Sequence, residues 1–525
     1  MAEKFSVSSP IGRRVLFSTI LASSMAFIDG SALNVALNAL QLDLNAGGAD
    51  LIWIVNAYLL FLAALILIGG SLGDQFGRVR IFRIGIIVFT LASLACGLAP
   101  STTLLILARA VQGVGAALMV PGSLAIISAL IVDGERGRAI GIWSAASTIT
   151  TIAGPVVGGL FVDNLTWRAV FFINLPLALL ALYSLTDVPE NRNEAAGTRR
   201  IDIPGALLVT LGLAGLTYGL VSLGENQAGT SIESLTLFAL VGGVLALIAF
   251  VVVEARSAHP MVDLQVFRSR TFSGANVMTA FLYGALGGAL LFLPLNLIQV
   301  QGYLAANAGL TIMPFGLVLA LLSPWAGRLI DRYGPRLPLT VGPFIVGCGF
   351  LMLALPGLTA GIGDYWVTYF PAMVTLGAGM GITVAPLTTA VMTSVPSSQS
   401  GIASGINNAV TRSAQVLATA IFGAVALVMF SNALAGQSVG LALPAATQQA
   451  LLAGARELGN TPIPTGLAAG TADAAQMAVK LAFVDMFRLI MVIAAGMAWL
   501  SALLAALIIA PGKSTDRIET PIIID

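Results

Sequence analysis

The chain has 525 residues, 57% of them apolar and only 9% charged, where ordinary soluble domains carry about 25% charged residues. So little polar surface excludes a soluble protein of this size. A formal net charge of +1 argues against a nucleic-acid partner, which calls for a concentrated basic surface. Cys96 and Cys348 lie in separate apolar runs, a spacing that offers neither a disulfide framework nor a metal site, and His259 lies in a polar connection before Pro260. No metal, no cofactor and no catalytic residue is expected.

A bilayer core of about 30 Å needs roughly 20 mostly apolar residues in helix. In chain order such stretches run over 15–38, 52–71, 81–99, 103–127, 138–161, 168–186, 203–223, 234–254, 272–294, 305–326, 338–356, 366–388, 403–430 and 484–509. The first follows a short basic segment, Lys4 to Arg14. It is long enough to cross the bilayer and no clear small-residue cleavage site follows it, so it reads as an uncleaved span. The runs do not alternate polar with apolar residues, which excludes a membrane β-barrel, and helices satisfy their own backbone in lipid. The expected fold class is all-α integral membrane, with about fourteen transmembrane helices.

An even number of spans puts both termini on one side. That side holds Arg13, Arg14, Arg78, Arg80, Arg83, Arg136, Arg138, Arg192, Arg199, Arg200, Arg256, Arg268, Arg270, Arg332 and Arg336, against Arg168, Arg456 and Lys480 opposite. The bias of basic residues toward the cytoplasm makes both termini cytoplasmic. Residues 431–483 are rich in Ala, Gly, Thr and Pro and contain no run long enough to cross. They read as a long outer loop, with room for a short amphipathic helix near Gln448 to Leu458.

An internal repeat divides the chain. After span two the sequence runs Gly70, Ser71, Leu72, Gly73, Asp74, Gln75, Phe76, Gly77, Arg78, Val79, Arg80. After span ten it runs Gly327, Arg328, Leu329, Ile330, Asp331, Arg332, Tyr333, Gly334, Pro335, Arg336. Both fit Gly-x-Leu-x-Asp-x-x-Gly. Glycine permits tight turns, and aspartate suits a helix start, where free amides and the helix dipole favour negative charge. Two related bundles follow, spans 1–6 and 9–14, with spans 7–8 inserted between them. The expected organisation is residues 1–186, a linker with two extra helices at 187–270, residues 271–510 including the outer loop, and a cytoplasmic tail at 511–525. Tandem bundles with a site at their interface are a common plan for secondary transporters.

With these residues in view, the chain resembles the major facilitator superfamily, and within it the fourteen-helix drug:proton antiporters of the EmrB/QacA type. Span one carries Asp29, Ser31, Asn34, Val35, Ala36 and Leu37, similar to the group's Asp-x-Thr-x-x-Asn-Val-Ala-Leu-Pro, with Ser31 for the threonine and Asn38 for the proline. Gly70 to Arg80 matches motif A. Leu105, Arg109, Gln112, Gly113, Gly115, Ala116 and Ala117 match motif B. Gly154, Pro155, Gly158 and Gly159 form the core of motif C, which is associated with antiporters, although Thr150 replaces an earlier glycine. Trp167 with Arg168, Asn174 with Pro176, the connection from Glu254 to Phe272, and Gly401, Ala403, Ser404 and Gly405 with Arg412 are also similar to this group. For a double-membraned bacterium the resemblance further implies a periplasmic adaptor as partner.

Ionisable groups deep in lipid cost roughly 3 kcal/mol each on insertion scales, so Asp29, Arg109 and Arg412 call for a reason. At about 1.5 Å per residue, Asp29 lies about 22 Å from the cytoplasmic surface and Arg109 about 10 Å below the outer one. In a core of about 30 Å the two share a depth. Asp29 then either takes and releases the coupling proton beside Arg109, or forms a static ion pair that anchors spans one and four. Gly70, Asp74, Gly77 and Arg78, with Asp331 and Arg332 in the repeat, read as a cytoplasmic latch or as simple topology signals, and the resemblance adds Asp133 to that latch. Gly154, Pro155, Gly158 and Gly159 read as a kinked, close-packed gate or as close packing alone.

For the substrate cavity the sequence nominates Asn34, Tyr58, Gln112, Trp143, Phe281, Asn408, Arg412 and Gln415. One candidate acid opposed by buried arginines favours neutral, zwitterionic or monovalent solutes over dications. The expected function is proton-coupled export of lipophilic small molecules, multidrug efflux, across a bacterial cytoplasmic membrane. The alternatives are a dedicated exporter of an endogenous metabolite or lipid, and a nutrient importer, the latter disfavoured by motif C. No phosphate-cradling loop with its lysine is present, which excludes ATP hydrolysis as the engine, and no catalytic constellation points to an enzyme.

Overall fold

The computed structural model describes residues 4–190, 202–225, 233–257, 260–396 and 400–510, with the side chains of residues 331, 400 and 401 set aside. Arg192, Arg199, Arg200, His259 and the tail 511–525 lie outside the described residues, as does the side chain of Asp331.

In chain order the helices are α1 (Pro10–Leu44), α2 (Gly48–Phe76), α3 (Arg78–Leu98), α4 (Thr102–Leu130), α5 (Asp133–Asn164), α6 (Ala169–Phe172), α7 (Asn174–Ser184), α8 (Ile203–Glu225) and α9 (Ser234–Arg256). They continue with α10 (Arg270–Leu295), α11 (Ala305–Tyr333), α12 (Arg336–Ala354), α13 (Tyr365–Thr393), α14 (Ser400–Gly440), α15 (Ala445–Ala453) and α16 (Ala469–Ile508). Among the described residues, 13 helices are long and apolar enough to cross a membrane, and Ala169–Ser184 is a shorter apolar stretch. The chain is a multi-pass, all-helical membrane protein.

Local chemistry sets the ends of these helices. Ser9 caps α1, its hydroxyl accepting from Gly12 N at 3.0 Å with Pro10 as the first helical residue, and Asn45 closes the helix in the left-handed region. Gly77 (φ +110°) and Gly334 (φ +72°) end α2 and α11. They are the matching glycines of the internal repeat, and both adopt backbone that a side chain would strain.

The repeat is visible in the packing. Helix α2 packs on α4, α3 on α4, α1 on α5, and α1 and α3 on α7. In the second bundle α11 packs on α13, α12 on α13, α10 on α14, and α10 and α12 on α16. The two most extensive contacts between the bundles are α5 on α11 and α14 on α2, and under the same correspondence each is the counterpart of the other. The inserted pair α8 and α9 packs on itself and leans through α8 on α14 and α2.

Two regions differ from expectation. Span six, expected over 168–186, is two short helices joined at Ile173. The connection expected over 431–483 is largely helix: α14 runs on to Gly440 and α16 starts at Ala469. Between them lie α15 and a 3-10 turn at Ala455–Asn460. Outside lipid a helix needs no apolar run, so span length is the wrong guide to where these helices end.

Candidate functional site

Asp29 of α1 and Arg109 of α4 meet inside the first bundle, their side chains 0% and 1% exposed. Arg109 Nη1 donates to Asp29 Oδ2 at 2.5 Å and to Gln112 Oε1 at 2.7 Å, while Nε donates to the Ile54 carbonyl at 3.1 Å. Gln112 lies one turn further along α4 and turns its amide N–H onto Asp29 Oδ1 at 2.8 Å. Carboxylate, guanidinium and amide therefore close a ring. Asn174 Nδ2 of α7 lies 3.5 Å from Asp29 Oδ1 and donates to Ser93 Oγ at 2.9 Å, and Ser93 in turn donates to the Phe171 carbonyl. The Tyr58 ring takes the guanidinium on its face at 4.4 Å. Buried charge persists only when it is paired and hydrogen-bonded, and both partners here are.

This arrangement moves two nominated cavity residues. Tyr58 and Gln112 are 3% and 0% exposed and act as partners of the ion pair, not as an open wall. Asn34, Trp143, Phe281, Arg412 and Gln415 are half-buried and Asn408 is exposed. Trp143 Nε1 donates to Ser23 Oγ at 3.0 Å, and Ser23 pairs with Ser123 at 2.9 Å. Arg412 Nη1 donates to Gln415 Oε1 at 3.2 Å, and Asn408 Nδ2 donates to the Ser404 carbonyl one turn before it on α14.

We call the end of the bundle that carries residue 10 the Pro10 face and the other end the Leu44 face. At the Pro10 face, Asp74 Oδ1 accepts from Arg78 Nε at 2.8 Å, and Arg78 reaches the Ala125 carbonyl of α4. Glu190 Oε1 accepts from Val79 N at 3.0 Å and lies 2.6 Å from where a Cβ on Gly77 would stand. Gly70 is loosely packed. Gly69 makes the close approach, since a Cβ there would fall 2.0 Å from the Ala117 carbonyl. Asp133 does not join this cluster, contrary to what the resemblance implies. It opens α5 and pairs with Lys4 at 2.8 Å and with Arg136, because the N-terminal segment bridges Phe5 to Ile131 beside it. In the repeat, Arg332 lies over the Tyr333 ring at 5.2 Å.

Gly154, Pro155, Gly158 and Gly159 are all buried within one uninterrupted helix, α5. A Cβ on Gly154 would fall 1.9 Å from Ser31 Oγ, and one on Gly158 2.7 Å from the Ala32 carbonyl. These two glycines bring α5 against α1. Gly159 faces the other bundle, where a Cβ would fall 2.4 Å from the Ala305 carbonyl, and Gly309 answers from α11, 2.3 Å from the Pro155 carbonyl. Asp163 completes the contact by accepting from Ala305 N at 3.1 Å and Ala306 N at 2.8 Å, so an acid of one bundle caps a helix of the other. These contacts all lie in the Leu44-side half of the seam. Toward the Pro10 face Ile149, Leu321 and Trp325 of the same two helices are 65%, 77% and 54% exposed.

The Leu44 face carries a second bridge. Leu458 (φ +54°) is wedged in, 2% exposed. Gln41 donates to the Glu457 carbonyl at 2.9 Å, Asn460 donates to Asn38 and Gln41 at 3.0 Å each, and Gln299 of the second bundle donates to Gln41 at 2.9 Å. Nearby, Arg168 and Trp167 both donate to Asp43, at 2.5 and 3.0 Å. Sequence reading had no signal for Asp163, Asn460 or Gln299, whose partners are hundreds of residues away or in the other bundle.

Residues 19–419 match the family model described as Major Facilitator Superfamily. "Multidrug resistance protein Stp" of Mycobacterium tuberculosis is 37% identical over 420 residues, 78% of this chain and 75% of that one. The "Tetracenomycin C resistance and export protein" of Streptomyces glaucescens is 31% identical, covering 78% and 74%. "Puromycin resistance protein pur8" of Streptomyces alboniger is 34% identical, covering 77% and 80%. In fold, the chain is similar to a bacterial homolog of the human lysosomal transporter Spinster, with a TM-score of 0.60 and 18% identity over 95% of this chain and 98% of that one. The chain belongs to the Major Facilitator Superfamily: it is a membrane transporter and not an enzyme.

Proposed function

We propose that this transporter is a proton-coupled antiporter that exports lipophilic small molecules by alternating access, from the cytoplasmic membrane of a bacterium. One observation carries the reading: a carboxylate, Asp29, is fully enclosed in the first bundle and held 2.5 Å from Arg109. Taking up a proton there would cancel the negative charge and leave an enclosed guanidinium without its counter-ion. Leaving a buried charge unpaired costs several kcal/mol, so the protonated protein favours an arrangement that gives Arg109 new partners or water. A carrier needs this kind of differential free energy between its two states. One charge crossing the membrane gains about 2.3 kcal/mol per 100 mV, and 1.4 kcal/mol is a factor of ten, so one proton supports a solute gradient of roughly fifty-fold.

The names of the relatives, resistance and export proteins for chemically different antibiotics, support a lipophilic cargo. Arginine placement supports a cytoplasmic Pro10 face with both termini, and hence an outer Leu44 face. The packed α5–α11 seam at the Leu44 face supports a state closed on that side. In this reading residues 1–186 and 271–510 rock against each other, 187–270 carries the two extra helices, and 511–525 is a cytoplasmic tail. Gly159, Gly309 and Asp163 close the outer side, and Asp74 with Arg78 belongs to the cytoplasmic latch. A second reading, export of one self-made compound, is favoured by relatives named for export of tetracenomycin C and cephamycin, and it uses the same mechanism.

The test is reconstitution in vesicles with an imposed pH gradient and a panel of lipophilic dyes. Dye movement that collapses with a protonophore and is lost in Asp29→Asn is the expected result. Protonophore-sensitive movement that survives in a well-folded Asp29→Asn protein would overturn the assignment of the proton to Asp29.

A further inference from the structure

We infer that the seam between the bundles selects solutes carrying a carboxylate, and that Arg412 reads that charge; the inference rests on the export reading for the direction of transport alone. Arg412 lies twelve residues into α14, about 18 Å along its axis and so near mid-membrane. A guanidinium at this depth is expensive unless it faces a partner or water. Among the described residues no carboxylate lies within ion-pair distance of it, and its side-chain partner is the neutral Gln415. It is only half-buried, so the group remains accessible.

Its surroundings place it between the bundles. One turn along the same helix, the Val416 carbonyl accepts from Asn56 Nδ2 of α2 at 3.4 Å, so this face of α14 is turned toward the first bundle. Helix α10 comes close at Gly287, where a Cβ would fall 2.8 Å from Gln415 Cγ. Asp29 cannot serve as counter-ion, because Arg109 and Gln112 already engage both of its oxygens. The Asp29–Arg109 pair is neutral overall, and Arg412 therefore leaves the middle of the protein with an uncompensated positive charge. A planar guanidinium matches a carboxylate through two parallel hydrogen bonds. A permanent cation is repelled from the same place. Export of an organic anion also carries negative charge outward, so an inside-negative potential drives it in the proposed direction.

The experiment compares three coumarin probes on the purified full chain in phosphatidylcholine nanodiscs, with no gradient: a coumarin-3-carboxylate, its methyl ester and a trimethylammonium analogue. Fluorescence quenching gives each Kd. The wild type is expected to bind the carboxylate at least ten-fold more tightly than the ester, with the cation weakest. Arg412→Gln is expected to bring the carboxylate down to the level of the ester, and Arg412→Lys to keep part of the preference. Equal binding of carboxylate and ester by the wild type would overturn the inference, as would no saturable carboxylate binding. Parallel losses for both probes in Arg412→Gln would also overturn it, since they indicate a structural role. Competition by added phosphatidylglycerol at equal strength would transfer the site to lipid headgroups and overturn the solute assignment. A failure of energised transport with this preference intact would count against the export reading alone.

Discussion

The two bundles pack their helices in one pattern and fill their centres with different chemistry. The first encloses an ion pair, Asp29 with Arg109, tied by Gln112 and Asn174. The second holds neutral groups: Asn407 donates to Asn276 at 3.1 Å and to Thr279 at 3.0 Å, and Asn296 donates to the Tyr369 hydroxyl at 3.0 Å. Neutral amides and hydroxyls exchange partners at small cost, whereas an ion pair in low dielectric must be kept whole, titrated or rehydrated. On the proposed mechanism, proton chemistry belongs to the first bundle, and the second contributes packing surfaces and Arg412.

The largest effect should come from breaking the pair. Asp29→Ala is expected to destabilise the protein by about 3–5 kcal/mol, because it strands the Arg109 charge. Asn407→Ala in the second bundle should cost only about 1 kcal/mol and leave proton-driven exchange intact. Thermal unfolding in detergent and vesicle exchange measure both. If Asn407→Ala also abolished coupling, the contrast between the bundles would fall.

The two cross-bundle seams give a second comparison. Adding a side chain at Gly159 or Gly309 should cost about 1–3 kcal/mol through overpacking, and only in the state where the Leu44 face is closed. Gly159→Val should therefore raise labelling of a cysteine placed on the Leu44-side half of the α5–α11 seam by a membrane-impermeant reagent. On the α2–α14 seam, Gly423→Val should act likewise, because a Cβ there would fall 2.1 Å from Ile52. A response at only one seam would show that the bundles hinge at the other.

Smaller still is the cap. Asp163→Asn should lose about 0.5–1 kcal/mol of helix-terminus interaction and shift the balance of states a few-fold, read from the same labelling. At the Pro10 face, Asp74→Asn should change unfolding by less than about 1 kcal/mol, since the Asp74–Arg78 pair is partly exposed. Transport turnover should nevertheless fall while substrate binding persists. Equal loss of both would remove the latch and leave a topology signal.

The spans were legible because a bilayer imposes a ruler of about 20 apolar residues, and the chain must obey it locally. The ruler misled where lipid no longer acts. Residues 431–440 and 469–483 read as loop, yet they continue α14 and α16 outside the apolar runs; 469–483 is rich in alanine, which favours helix without being strongly hydrophobic. Depth arithmetic brought Asp29 and Arg109 to one level, because a straight helix converts residue number into height. It could not turn Tyr58 and Gln112 inward to the pair, nor send Asp133 to Lys4. Those outcomes depend on the rotation of each helix about its own axis and on the path of the N-terminal segment.

By itself, then, the amino-acid sequence determined the membrane, the helices, the repeat and the residues that carry motif chemistry. Each of these is a property of one segment in its solvent: an apolar run in lipid, a glycine at a positive φ, an acid too deep to be idle. Only the tertiary structure decided that Gln112 closes the ring around Asp29 and that Asp163 caps a helix of the opposite bundle. It also decided that α5 and α11 pack closely at the Leu44 face, through Gly159 and Gly309. Such contacts join segments far apart in the chain, and their geometry follows from how whole helices pack, which no local pattern encodes.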